Sequence, residues 1–228
     1  MKPLTEAVLS SRRTRRPSAS TPAIILAGGR ATRMGGGNKA LRMLGGETLL
    51  TRVIARLQDQ CAPIAINANT DPETFAEYGL PVVADTVAGF PGPLAGILAG
   101  MEWATSLGAS HVVSVSVDTP FLPLDLVHRL REAAGRHGIA LAASPDLVTG
   151  RMQDHPTCGL WPVALRGDLA EALESGLLRP GMFAAAYDPG RAIFDSKQID
   201  PFANMNTPLD LSEAEPLTRT LAGSLRGF

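Results

Sequence analysis

A chain of 228 residues, 45% apolar and 19% charged, is long enough to bury a full core and has the balance of an ordinary globular protein. No stretch approaches the roughly eighteen uninterrupted apolar residues of a membrane span, and no apolar segment follows the basic N-terminus as a secretory signal requires, so the sequence predicts a cytoplasmic protein without a membrane partner. The net charge is only −1, but residues 1–21 carry five basic side chains against one acid, whereas the remainder carries sixteen against twenty-one.

The basic leader holds Lys2, Arg12, Arg13, Arg15 and Arg16. Its stretch "SSRRTRRPSAS" has too few apolar residues to offset the entropy of ordering it, so disorder is expected over residues 1–21, ahead of a single domain over 22–228. Nucleic-acid tails and targeting segments share its richness in Arg and Ser. No aromatic interleaves the arginines, however, and the reading is a solvated leader with no nucleic-acid partner. Cys61 and Cys158 lie far apart without metal-ligand spacing and read as reduced, buried side chains.

From Pro22 onward short apolar runs alternate with helical patterns. "AIILA" (23–27) reads as a strand buried on both faces, and "ETLLTRVIARLQDQ" (47–60) as a helix with Leu49, Leu50, Val53, Ile54 and Leu57 in its stripe. A strand at 63–67, a short helix at 71–78 and a strand at 81–85 follow. Pro93 opens a helix expected to run to Leu107, and "HVVSVSVD" (111–118) is the clearest strand. Residues 122–138 are amphipathic, with Gly138 as the expected stop, and "IALAAS" (139–144) reads as a strand. The last third gives a strand near 155–161, a helix near 163–175, a Gly- and Pro-rich stretch, a strand near 191–195 and a helix from 208. Such alternation predicts a three-layer α/β/α, mostly parallel, Rossmann-like sheet.

In such a sheet ligands bind beyond the carboxyl ends of the strands, and the first β-to-α loop is the usual phosphate site. Residues 27–40 occupy that loop. Gly28 and Gly29 let backbone amides approach an anion, while Arg30, Arg33 and Lys39 supply positive charge. The letters fit neither a Walker loop, since Lys39 lies between Asn38 and Ala40, nor a dinucleotide fingerprint.

Two acids end strands. Asp118 suits a hard cation such as Mg²⁺, which takes one or two carboxylates plus substrate phosphates; it equally suits a turn or helix cap. Asp85 could accept hydrogen bonds from the N1–H and N2–H₂ of guanine, or be an ordinary turn residue at a strand end. His155 in "DHPT" reads as structural, and no Ser-His-Asp or Cys-His arrangement is expected from the motifs.

The run "LAGGRATRMGGGNKAL" resembles the signature of the nucleotidyltransferases that activate sugar phosphates and related molecules. Its doubled glycine is similar to that of the molybdenum cofactor guanylyltransferases, whereas relatives that use CTP usually read "LAAG". "INAN" (66–69), "PGPLAG" (91–96), "DTPF" (118–121), "DHPT" (154–157) and "NMNTP" (204–208) follow in the family's order, so the resemblance spans about residues 23–212.

The resemblance implies transfer of GMP from GTP to the phosphate of molybdopterin, with release of pyrophosphate. It places GTP contacts on Leu26, Ala27, Gly28, Gly29, Lys39, Asn67, Asp85 and Asp118, with Lys39, Arg33 and Asp118 catalytic and Mg²⁺ on Asp118. It puts molybdopterin at Asn204 and Asn206 and, more weakly, at Arg179. Asn206 also suits an N-cap of the last helix, as does Thr207. GTP and molybdopterin would be substrates, with cofactor-insertion proteins and molybdoenzymes as further partners. A phosphate monoester is mostly dianionic at neutral pH, so its attack needs no general base. The chain departs from the family at Asn38, where an acid is usual; Asn keeps an acceptor oxygen and loses the charge. The alternatives are a CTP- or sugar-phosphate-dependent enzyme of the same fold, and a non-catalytic nucleotide or RNA binder working through the leader.

Overall fold

The computed structural model describes residues 20–28, 36–87, 92–195 and 200–224, with side chains described through residue 218. The expected leader, apart from Ser20 and Thr21, lies outside the described residues, as do Gly29, Arg30 and Arg33 of the loop. Thr21, assigned to the leader from sequence, is buried and its carbonyl accepts from the Ala62 N–H (3.3 Å).

The first half of the chain builds β1 (Ala23–Leu26), the two-residue strands β2 (Met43–Leu44) and β3 (Glu47–Thr48), α1 (Leu49–Leu57), β4 (Ile64–Asn67), β5 (Val82–Val83) and α2 (Pro93–Ser106). The second half adds β6 (His111–Ser116), α3 (Leu126–Ala133), β7 (Ala140–Pro145), β8 (Met152–Pro162), α4 (Arg166–Glu174), α5 (Pro180–Ala185), β9 (Gly190–Ile193) and α6 (Pro208–Ser224). Seven strands form one sheet in the order β5-β4-β1-β6-β8-β7-β9. The pairs β5–β4, β4–β1, β1–β6 and β7–β9 are parallel, and only β8 runs against its neighbours.

Period-two alternation along the strands divides the apolar side chains between two helical layers. Ala23 and Ile25 of β1 pack with Leu50, Val53 and Leu57 of α1 and with Leu126, Val127 and Leu130 of α3. Ile24 and Leu26 face the other way, onto Leu94, Ile97, Leu98 and Met101 of α2, with Leu169 of α4 and Phe183 of α5 in the same layer. Each such Leu or Ile contributes about 1.5–3 kcal/mol when fully withdrawn from water. Trp161, the bulkiest fully buried side chain, donates its indole N–H to Ser114 (2.8 Å) and so leaves no polar atom stranded.

Several expectations shift. The segment 43–48 is a hairpin turning at Gly45 and Gly46 (φ 58° and 82°), a conformation glycine alone adopts without strain. Helix α1 therefore starts at Leu49, behind Thr48, whose hydroxyl accepts from the Thr51 N–H (3.0 Å). The helix expected to stop at Gly138 ends at Ala133 because β9 crosses there: a Cβ on Gly190 would lie 1.5 Å from the Ala133 carbonyl. The Gly- and Pro-rich stretch contains α5, which packs its Gly181 against Pro156 of β8. Among the described residues no helix is long and apolar enough to cross a membrane.

Candidate active site

Parallel pairing brings the carboxyl ends of β1 and β6 side by side, with Leu26 opposite Ser116 and the Val117 N–H donating to the Leu26 carbonyl (3.1 Å). The chain therefore leaves β1 through Ala27 and Gly28 next to the turn that carries Asp118. Ala27 is fixed by donation to the Asn67 carbonyl on the other flank (2.9 Å). Gly28 is exposed, and among the described residues no atom lies within 4 Å of where its Cβ would stand, so its backbone is open to an approaching ligand.

At the far end of the loop Asn38 accepts from the Ala40 N–H (3.0 Å) and caps the short turn Lys39–Leu41. That local role needs an oxygen and no charge. The Arg42 guanidinium donates back to the Gly36 carbonyl. The turn aims Lys39 inward: the residue is 8% exposed, and its ammonium meets Asp118 Oδ2 and, at 2.6 Å, Asn206 Oδ1.

Asp118 follows β6 in a turn held by Thr119, whose N–H and hydroxyl both bond the Ser116 carbonyl. Its Oδ1 accepts from the Ser116 hydroxyl (2.5 Å) and its Oδ2 from Lys39. Among the described residues neither oxygen accepts from a backbone N–H, so the carboxylate caps neither a turn nor a helix there.

The segment leading into α6 completes this group. The Met205 N–H donates to the Asp118 carbonyl (2.9 Å), and Met205 is buried with Leu44, Leu49, Phe121 and Ala214. Asn204 and Asn206, which flank Met205 in the chain, are exposed. Capping of α6 falls to Thr207, whose hydroxyl accepts from the Asp210 N–H (3.1 Å), while Asp210 reaches back to the N–H groups of Asn206 (2.7 Å) and Thr207 (2.8 Å). The Asn206 side chain is thereby released from capping.

A second group lies at the ends of β4 and β5. Asn67 is buried and donates to the Val83 carbonyl (3.1 Å) and Asp85 Oδ1 (2.8 Å). Asn69, which the sequence reading passes over inside "INAN", donates to Asp85 Oδ2 (2.7 Å) and accepts from the Asp85 N–H (2.8 Å). The carboxylate of Asp85 is thus held from both sides with lone pairs to spare. Arg179 stands apart: it is exposed at the start of α5, and among the described residues no hydrogen bond joins it to Asn204 or Asn206.

The structure also assembles a Ser, a His and an Asp that the motifs did not suggest. Ser144 Oγ lies 2.7 Å from His155 Nε2 and donates to Asp200 Oδ1 (3.0 Å). The hydroxyl hydrogen is committed to the carboxylate and Ser144 is 1% exposed, so this is no nucleophile with its base. Burial draws the His155 pKa down, against the opposing charges of Asp200 and Asp154, and its ring stacks on Phe202 at 4.5 Å. The cluster anchors the segment that continues to Asn204 and Asn206.

The MobA-like NTP transferase domain family matches residues 23–187. A molybdenum cofactor guanylyltransferase of Rhodopseudomonas palustris (strain HaA2) is 51% identical over 211 residues, covering 90% of this chain and 96% of the relative. Among solved structures, molybdopterin-guanine dinucleotide biosynthesis protein A from Archaeoglobus fulgidus superposes with a TM-score of 0.67 at 18% identity, covering 88% of this chain and 100% of that one, a likeness of fold. The 2-C-methyl-D-erythritol 4-phosphate cytidylyltransferase of Thermus thermophilus superposes with a TM-score of 0.64 at 26% identity, covering 88% and 99%. With a match over most of its length and half its residues shared with such a relative, the chain belongs to the family of MobA-like NTP transferase domains.

Proposed function

We propose that the chain transfers GMP from GTP to the phosphate of molybdopterin, releasing pyrophosphate. The observation that carries this reading is the convergence of Lys39 and Asp118 beside the open backbone of Gly28 at the carboxyl edge of the sheet. Relatives about half identical, named as molybdenum cofactor guanylyltransferases, support the choice of base and acceptor.

The chemical difficulty is to bring two polyanions together. The acceptor phosphate, mostly dianionic with a second pKa near ~6, attacks the α-phosphorus of GTP as the bond to pyrophosphate breaks. No proton needs to be removed, consistent with a crevice whose described groups are a lysine, carboxylates and amides. Lys39 offsets the repulsion and the charge gathering on the leaving pyrophosphate, the amides from Gly28 onward would hold the triphosphate, and Arg33, outside the described residues, would add charge.

Nucleotidyltransferases typically employ a divalent metal, and the residues fit Mg²⁺. Asp118 already draws a cation, the Lys39 ammonium, to its Oδ2. Among the described residues no group of three or more His, Cys, Asp or Glu forms a protein cage, which suits an ion that takes most ligands from phosphates and water. Bound there, Mg²⁺ would neutralise phosphate charge.

Pyrophosphate release with GTP, molybdopterin and Mg²⁺ tests the reading directly. Lys39→Ala and Asp118→Ala are each expected to lower turnover by at least about a hundredfold, the scale of one lost preorganised electrostatic group. Near-normal rates in both would overturn the assignment.

A further inference from the structure

We infer that Asn206 is a positioning residue for Lys39, so that the segment proposed to meet the acceptor also sets the lysine that meets the triphosphate. The inference rests on the proposed nucleotide site at Lys39 and adds to it a residue that resemblance places on the acceptor side alone.

Lys39 and Asn206 are 167 residues apart in sequence, yet the ammonium lies 2.6 Å from the asparagine Oδ1. Nothing about this contact is left to a loose surface residue. The Asn206 backbone is clamped by Asp210 Oδ2, and its neighbour Met205 is bonded to the Asp118 carbonyl and sealed under Leu44, Phe121 and Ala214. Leu44 follows Lys39 by five residues and Phe121 follows Asp118 by three. One small apolar cluster therefore fixes the lysine, the carboxylate and the asparagine relative to one another.

The two partners of the ammonium do different work. Asp118 neutralises it and is also the proposed metal ligand. Asn206 holds it with a neutral dipole, which localises the charge without adding a second countercharge. With Thr207 capping α6, the Asn206 amide has no second structural duty. Among the described residues its Nδ2 makes no hydrogen bond, which leaves a donor for an acceptor molecule while the oxygen stays on Lys39. An acceptor seated on that nitrogen would fix the rotamer that holds the lysine.

The discriminating measurement is GTP affinity in Mg²⁺ without any molybdopterin, by titration calorimetry on the full chain. Asn206→Ala is expected to weaken GTP binding by roughly fivefold to tenfold, the scale of one charge-assisted hydrogen bond, and to lower kcat by a similar factor in the full reaction. Asn206→Asp keeps an oxygen beside Lys39 and controls for folding. Its thermal midpoint is expected to match the parent, while GTP binding still weakens because the new carboxylate competes with the triphosphate for the ammonium. Asn206→Ala that binds GTP like the parent and changes only the KM for molybdopterin would overturn the inference, as would parental GTP affinity in Asn206→Asp. Lys39→Ala, measured alongside, separates the two levels. If it too binds and turns over GTP normally, the nucleotide site itself is wrong; if it is impaired while Asn206→Ala binds normally, only the role of Asn206 falls.

Discussion

Asp210 shows how one carboxylate outside the crevice can govern it. Burial by itself would raise its pKa, but donation from the Asn206 and Thr207 N–H groups and the Thr207 hydroxyl, together with the charge of Lys39, outweighs that effect and holds the group below the ordinary carboxylate value. A depressed folded-state pKa means that the charged form favours the native state. Its contribution is complete above the unfolded-state pKa and disappears as the pH falls through the folded one. Asp210→Asn should therefore be less stable than the parent near neutral pH, with the difference closing in acid once Asp210 itself is protonated. Denaturant unfolding of both proteins across that range would measure it. A deficit that stays constant with pH would place the effect in packing instead of charge.

At the level of elements, the first turn of α2 packs directly against the proposed nucleotide pocket. A Cβ on Gly96 would fall 2.2 Å from Asn67 Oδ1 and 2.9 Å from the Leu26 side chain, so helix and sheet meet here only because this residue has none. Gly96→Ala must push Asn67 away from Asp85 or lift the helix. The expected cost is about 1–3 kcal/mol of stability, the range for overpacking, together with weaker GTP binding; calorimetry and thermal unfolding would report the two separately. Gly28→Ala, with open space at its Cβ, makes the informative contrast. The helices and strands of this scaffold were readable because α1 and α3 carry apolar stripes and β1, β4 and β6 are short runs buried along most or all of their length. The reversed direction of β8 was not, since alternation reads the same both ways. Nor was α5, six residues opened by Pro and Gly. Lys39, Asp118 and Asn206 were each visible in their motifs, but contacts spanning 79 and 167 residues leave no local periodicity, so their meeting required the fold.

Taken as a whole, the molecule lays its proposed nucleotide site along the carboxyl edge of the sheet, from Asp85 at the outer strands, past Gly28, to Lys39 and Asp118 at the centre. The segment proposed to meet the acceptor arrives from the opposite side, anchored through Asp200 and Phe202 to the β7–β8 strands. Fold alone does not choose the base, because a cytidylyltransferase shares the architecture. The residue we propose to make the choice is Asp85. Its fixed carboxylate can accept from both N1–H and N2–H₂ of guanine, whereas cytosine offers it the single N4–H₂ donor beside the N3 and O2 lone pairs. A ligand that binds only the folded state at a hundred times its Kd stabilises it by about 2.7 kcal/mol, which for a chain of this size is a rise of roughly 5–10 °C in thermal midpoint. GTP with Mg²⁺ should produce such a rise at a concentration where CTP produces little, and Asp85→Asn should bring the two nucleotides closer together. A parental protein stabilised by CTP and indifferent to GTP would leave the Lys39–Asp118 crevice as a nucleotide site but remove guanine from it.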